Sequence, residues 1–372
     1  MPEKTLLYDL HVAHNARIFD FHGWLLPVQY EGIIAEHNQC RQSASLFDTS
    51  HMGQFLFSGP TCAQDISRLL TRNVVEMKLG QCRLGMMLRE DGGIIDDTVV
   101  LKLGEEEFLL FVNAGTREGD LEWIKSHIDP QTSVVDQTFK WGKVDVQGPL
   151  SYKVLSGHVE DDLSSLRYYT GMRTRCMGTD AIITRSGYTG ELGYEVCASG
   201  QDIVEIARVL LENPALKPAG LGARDLLRLE MGYHLSGQDF NSSTNAAEVD
   251  IDRLLRSDHG YIGNEAVKRM RQSQPERILV ALIAETRRKM STHDQIIYDG
   301  QVVGEITSGA FSPSLNASIA MGYVKRSLNE VNTELIVKTQ RAEITAKVTS
   351  KPMYKDGTCR TTQLEPVNEH PQ

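Results

Sequence analysis

From Arg277 onward the chain changes rhythm, and that change limits what it can fold into. Residues 278–283, 295–298, 301–306, 319–324, 334–338 and 344–348 are short apolar or alternating stretches separated by turn residues. Such closely spaced strands with no room for helices between them predict a small all-β barrel or sandwich. The charged, polar stretch 268–277, which contains Pro275, reads as the boundary before it.

The preceding part alternates differently. Residues 52–58 alternate as a strand should and are stopped by Gly59-Pro60. Apolar residues at helical spacing follow over 61–70. Two strands at 83–88 and 94–103 flank the turn Arg89-Glu-Asp-Gly-Gly93, followed by a strand at 107–112 and a helix at 117–128. That order predicts an α+β layer with antiparallel pairing. Residues 141–260 repeat the mixture, with strands at 143–147 and 180–185 and helices near 150–157, 202–212 and 223–232. The first fifty residues read as short helical and turn signals, with a helix over 32–45.

At 372 residues the chain exceeds one ordinary core, so two or three domains are expected. A net charge of −10 disfavours nucleic acid or an anionic membrane as the principal partner. The six cysteines follow no CxxC or metal-ligand spacing, which predicts free thiols in a reducing compartment and no metal site. Neither a basic, apolar leader nor a membrane-spanning run is present, so the expected location is the cytoplasm.

Three segments carry candidate chemistry. Asp96 and Asp97 enter a strand after the Asp91-Gly-Gly turn, and neighbours on a strand face opposite sides. Asp97 shares its side with Val99, Leu101 and Leu103, whereas Asp96 shares its side with Thr98 and Lys102. A carboxylate on the more apolar side is costly to bury unpaired, making Asp97 a candidate general base or orienting group. The alternative is a pair of turn aspartates on an exposed hairpin. Glu195 closes the string Gly187-Tyr-Thr-Gly-Glu-Leu-Gly-Tyr-Glu, and Arg224 sits in Gly220-Leu-Gly-Ala-Arg-Asp. An acid and a guanidinium can grip a planar, amide-rich ligand, or can simply form an ion pair. The glycines match no complete nucleotide fingerprint, and tight turns explain them equally well. Asn113 can bind a ligand or cap its turn; His22 and His51 read as packed histidines.

Taken together, Asp20-Phe-His-Gly-Trp, Phe47-Asp-Thr-Ser-His-Met-Gly, Gly92-Gly-Ile-Ile-Asp-Asp97, Val112-Asn-Ala, Val146-Gln-Gly-Pro, Gly187-Tyr-Thr-Gly-Glu, Gly220-Leu-Gly-Ala-Arg-Asp and Gly304-Glu-Ile-Thr-Ser-Gly resemble the T-protein family of the glycine cleavage system. They occur in family order across almost the whole chain. The resemblance implies an α+β, three-domain cloverleaf with two folate-binding layers and a C-terminal β-barrel. Its parts would be 1–50 with 141–265, then 51–140, then 276–360. It implies an aminomethyltransferase that uses tetrahydrofolate as co-substrate and lipoylated H-protein as partner, without metal. The family's essential aspartate falls on Asp97, its folate-contacting acid on Glu195 and its arginine on Arg224. Asn113, Tyr188 and Tyr168 or Tyr169 fall where the family lines the pterin pocket.

The chain departs from the family pattern at Leu84 and Leu101 and over 246–253, where it reads Ala-Ala-Glu-Val-Asp-Ile-Asp-Arg. Those departures leave open a folate-dependent demethylase acting on a small methylated donor. A non-catalytic folate-binding protein is the other alternative. The related binding proteins carry a Lys-Gly-Cys-Tyr-x-Gly-Gln string, where this chain has Tyr233-His-Leu-Ser-Gly-Gln238 without a cysteine.

Overall fold

The computed structural model describes residues 1–362 and Leu364. Strand and helix alternate through the first three quarters of the chain, and the last quarter closes on itself as a six-stranded barrel. This is the mixed α+β architecture that the sequence predicted. Among the described residues no helix is long and apolar enough to cross a membrane.

Barrel strands follow the period of two. Glu343–Thr349 alternates exposed and buried residues, and the buried members Ile344, Ala346 and Val348 join Leu282, Ile306 and Val337 inside. The long strand Gln301–Ser312 shifts register between Ile306 and Ser308. A bulge of this kind bends a strand, and here Ser308 and Ser312 beyond it meet the helix Leu221–Glu230.

Two further sheets hold the site. One contains five antiparallel strands in the order Cys82–Leu88, Ile94–Gly104, Glu107–Val112, Gly53–Ser58, Ser133–Asp136. The other contains six, in the order Thr170–Cys176, Thr179–Arg185, Gly193–Ser199, Trp141–Gln147, Ala44–Asp48, Leu216–Pro218. In the second, Ala44–Asp48 lies between an antiparallel neighbour, Trp141–Gln147, and a parallel one, Leu216–Pro218, and all five of its residues are buried. The backbone N–H of Cys82 donates to the Tyr169 carbonyl at 2.9 Å, linking the two sheets.

Two expectations need correction. The first fifty residues contain real sheet: Arg17–Phe21 and Trp24–Gln29 form a hairpin whose two turn residues, His22 and Gly23, both have positive φ. That is the turn geometry which matches strand twist. The helix expected over 32–45 stops at Gln42, and strand begins at Ala44. Within the boundary read at 268–277, the helix Asn264–Ser273 occupies the first part, and barrel strand starts at Arg277.

Candidate active site

Trp141–Gln147 carries two charges on one side of an otherwise uncharged strand, Lys143 and Asp145, and both are buried. The register sets Asp145 opposite Glu195 and Lys143 opposite Cys197. Lys143 Nζ donates to Asp145 Oδ1 at 2.8 Å and to Thr49 Oγ1 at 3.1 Å, and pairs with Glu195 Oε2 at 2.6 Å. Arg224 Nη1 donates to Asp145 Oδ2 at 2.7 Å. The result is a four-member chain, Glu195–Lys143–Asp145–Arg224, with balanced charge. Burial alone would pull the Lys143 ammonium down, but Asp145 and Glu195 outweigh it and hold the group above its ordinary range. Burial would likewise push Asp145 up, and Lys143 with Arg224 overrides it, holding the carboxylate low.

Glu195 and Arg224 are therefore not partners of each other. They are the outer ends of one chain whose middle the sequence analysis missed. The legible signal was Lys143-x-Asp145, two like-facing opposite charges within Trp141-Gly-Lys-Val-Asp-Val-Gln. The ends stay partly open, with side chains 16% and 13% exposed. Among the described residues, Glu195 Oε1 and Arg224 Nε and Nη2 have no protein hydrogen-bond partner, so each end has polar atoms to spare for a ligand.

The glycines around these residues are there for packing. A Cβ on Gly220 would stand 2.5 Å from the Val28 carbonyl, so only glycine lets the helix Leu221–Glu230 begin there. Its N–H donates to Glu36 Oε2 at 2.7 Å. A Cβ on Gly193 would collide with the Gln147 amide, which is held by Thr189 and by the Ser186 carbonyl.

Asp97 lies on Ile94–Gly104, and its side of that strand carries Val99, Leu101 and Leu103 against Leu109, Phe111, Ile182 and Tyr169. Asp97 therefore sits on the apolar side of its strand, as parity predicts. Asp96 is nonetheless the more buried of the two, with no exposure, and although the two face opposite sides of the strand, one neighbouring side chain bridges them. Asn113, at the end of the next strand, sends its Nδ2 to Asp97 Oδ1 at 2.8 Å and to Asp96 Oδ1 at 2.9 Å. Its backbone N–H also donates to Asp96 Oδ2 at 2.9 Å, and Ser236 Oγ donates to Asp96 Oδ1 at 3.0 Å. Burial, followed by the negative charge of Asp96, pushes the Asp97 carboxyl up to about 7. A carboxyl in that range can take and release a proton near neutral pH.

Tyrosines line the space between these groups. Tyr188 stacks on Tyr233 with centroids 5.7 Å apart, and the Arg224 guanidinium lies 5.0 Å over the Tyr188 ring. Tyr168 meets Tyr169 edge-on at 4.9 Å. Burial raises both the Tyr169 and Tyr188 phenols; Glu195 and Asp97 add to this at Tyr169, and Asp97 adds to it at Tyr188. The same rings thus sense the aspartate from one sheet and the charged chain from the other. Tyr233, which follows the Arg224 helix, was not singled out from the sequence. His51 is buried against the edge of Phe21, and burial pulls it down to about 4, so it stays neutral. No histidine, cysteine or carboxylate group among the described residues is arranged to hold a metal ion.

Comparison with known proteins identifies the family. Residues 7–259 match the GCVT N-terminal domain, and residues 277–355 match the glycine cleavage T-protein C-terminal barrel domain. An aminomethyltransferase of Halothermothrix orenii is 37% identical, over 94% of this chain and 99% of its own. One from Thermotoga petrophila is 37% identical over 95% of this chain and 98% of its own. The crystal structure of glycine cleavage system aminomethyltransferase T from Bartonella henselae superposes with a TM-score of 0.91 at 30% identity, covering 96% of this chain and 99% of that one. With both family domains matched in order and relatives similar end to end, the chain belongs to the glycine cleavage T-protein family.

Proposed function

We propose that this protein is the aminomethyltransferase of glycine cleavage, taking the methylene carbon from an aminomethyl group on the lipoyl arm of H-protein. Tetrahydrofolate accepts the carbon as co-substrate, ammonia leaves, and the lipoyl arm is left in its dithiol form. The observation that carries this reading is a carboxyl with elevated proton affinity, Asp97, facing aromatic rings shared with the open ends Glu195 and Arg224. Such a space suits a flat, donor-rich ring: tyrosines on its sides, an acceptor in Glu195 Oε1 and donors in Arg224. The three lobes, 1–50 with 141–265, 51–140 and 276–360, follow the same reading. Six free cysteines, five of them buried, favour a reducing compartment such as the cytoplasm.

The roles follow from geometry. Asn113 fixes Asp97 by a hydrogen bond to Oδ1, leaving Oδ2 to face the reacting nitrogen and hold its proton. Glu195 accepts from ring N–H groups, with Lys143 locking its other oxygen. Tyr188 and Tyr169 flank the ring, Tyr168 backs Tyr169, and Arg224 donates through Nε or Nη2. Leu84, partly open and packed near Met86, stands where the family pattern has another residue, so donor identity is tested directly. The deciding assay incubates the protein and tetrahydrofolate with aminomethyl H-protein or with a panel of methylated small molecules. Methylene-tetrahydrofolate formed from H-protein alone is the expected result; transfer from a small molecule alone overturns the reading.

Two expected outcomes arise here. Glu195→Ala weakens tetrahydrofolate binding by tenfold or more, since a hydrogen bond to a charged group contributes about 1.5–3 kcal/mol. Titration calorimetry reads it, and unchanged affinity removes Glu195 from the ligand. Turnover rises with pH through about 7, because Asp97 is protonated below that value and free to accept a proton above it. A flat rate from pH 6 to 8 contradicts that role.

A further inference from the structure

The helix Arg117–His127 places a third carboxyl, Asp120, beside this pair. Asp120 has no exposure, and neither of its oxygens has a hydrogen-bond partner meeting ordinary geometry. Asp96, by contrast, accepts two bonds from Asn113 and one from Ser236. Around the cluster stand Thr116 and Asn113 from the loop, Ser236 from beyond the Arg224 helix, and Tyr169 and Tyr188 toward Asp97; the His22 ring lies against Gly115 in the same loop. Among the described residues, no lysine, arginine or histidine pairs with Asp96, Asp97 or Asp120. Two fully buried carboxyls and a partly buried third, with no cation among them, cannot all be charged, so at least one keeps a proton. Burial raises Asp96 as well, but its three donors oppose that rise and suit it to the charge, whereas Asp120 has only the Thr116 hydroxyl near it and is suited to the proton.

We propose that Asp120 is a standing carboxylic acid that directs its proton toward Asp96, fixing Asp96 as the anionic anchor of Asn113 and, through Asn113, holding Asp97 in place. Asp120 is thus a positioning residue, with Asp96 and Asn113 standing between it and Asp97. The proposal rests on the role given to Asp97 only for its effect on turnover. Burial, then the neighbouring Asp96 charge, pushes Asp120 up to about 9, in the direction the geometry requires.

The sign of the linkage is definite. A folded-state carboxyl that keeps its proton favours the folded chain most below the ordinary carboxylate range, and that advantage is lost as pH rises toward about 9. Asp120→Asn keeps the shape and a donor but has nothing to titrate. The urea midpoint of Asp120→Asn minus that of the wild type therefore grows steadily from pH 5 to pH 8; a constant difference overturns the proposal. Infrared spectra with carbon-13-labelled aspartate provide a second arm that needs no variant to fold. At pH 8, with Asp97 ionised, the wild type retains a protonated-carboxyl band, and Asp120→Asn lacks it. Absence of the band in the wild type, or its survival in a folded Asp120→Asn, refutes the assignment. Asp120→Leu, neutral but without a donor, lowers kcat while leaving KM for tetrahydrofolate unchanged, and Asp120→Asn recovers part of the loss. If the infrared and urea results hold but kcat does not move, the protonation of Asp120 stands and its positioning role is overturned, while Asp97→Asn tests Asp97 separately.

Discussion

Asp97→Asn lowers turnover by about two to four orders of magnitude, the usual contribution of a positioned acid or base. Asparagine keeps the shape, and its side-chain oxygen still accepts from Asn113 Nδ2, so the strand and the Asp96 contacts persist. Tetrahydrofolate affinity changes little, because Glu195, Arg224 and the tyrosines remain. The loss therefore falls on kcat, with KM for the folate nearly constant. Single-turnover kinetics paired with calorimetry separate the two quantities. Turnover within a few-fold of wild type would return Asp97 to a structural role, and lost folate affinity would make it a binding residue.

Arg228→Ala has the largest expected effect on stability. The Arg228 side chain is completely buried; Nη1 donates to Asp239 Oδ2 at 2.6 Å and to the Tyr233 carbonyl, Nε to Asp225, and Nη2 to Ser308 Oγ at 2.8 Å. Asp239 lies equally deep and also accepts from Thr307, Ser308 and the Leu235 N–H. Burial would raise its carboxyl, and the Arg228 charge overrides that and holds it low. Removing one partner of such a pair costs about 3–5 kcal/mol, because the other is left buried and charged. Against a total stability of about 5–15 kcal/mol, that is about a fifth or more. Because Ser308 belongs to the barrel and Arg228 to the Arg224 helix, the urea transition should move to lower denaturant and can split into two steps. Adding Asp239→Leu recovers only part of the loss, since the donors from Thr307, Ser308 and Leu235 then lack their acceptor. A shift below about 1 kcal/mol would show the contact to be dispensable.

Legibility in the sequence varied with how local each cause is. Barrel strands such as Glu343–Thr349 announce themselves because one side faces solvent and the alternation is visible. Ala44–Asp48 does not, since burial on both sides erases the alternation and leaves it resembling the end of a helix. The apolar side of Asp97 followed from parity alone. Its meeting with Asp96 at Asn113 did not, because that depends on where the next strand ends and which way its last side chain turns. Lys143 and Asp145 escaped notice for a related reason: charged residues in a strand normally read as solvent-facing, and their partners Thr49, Glu195 and Arg224 come from remote parts of the chain.

The double pairing of Ala44–Asp48 has a consequence during synthesis. Its antiparallel neighbour ends at Gln147 and its parallel neighbour at Pro218, so a growing chain carries this strand long before either edge can be covered. At about 5–20 residues per second, the second edge waits on the order of ten seconds to half a minute after the strand leaves the ribosome. During that interval Leu46 and Phe47, fully interior in the finished protein, are open to other nascent chains. A holding chaperone that recognises short apolar strands would find a substrate there, and slow translation between residues 48 and 218 would lower the yield of folded protein more than the same pause placed after the barrel begins.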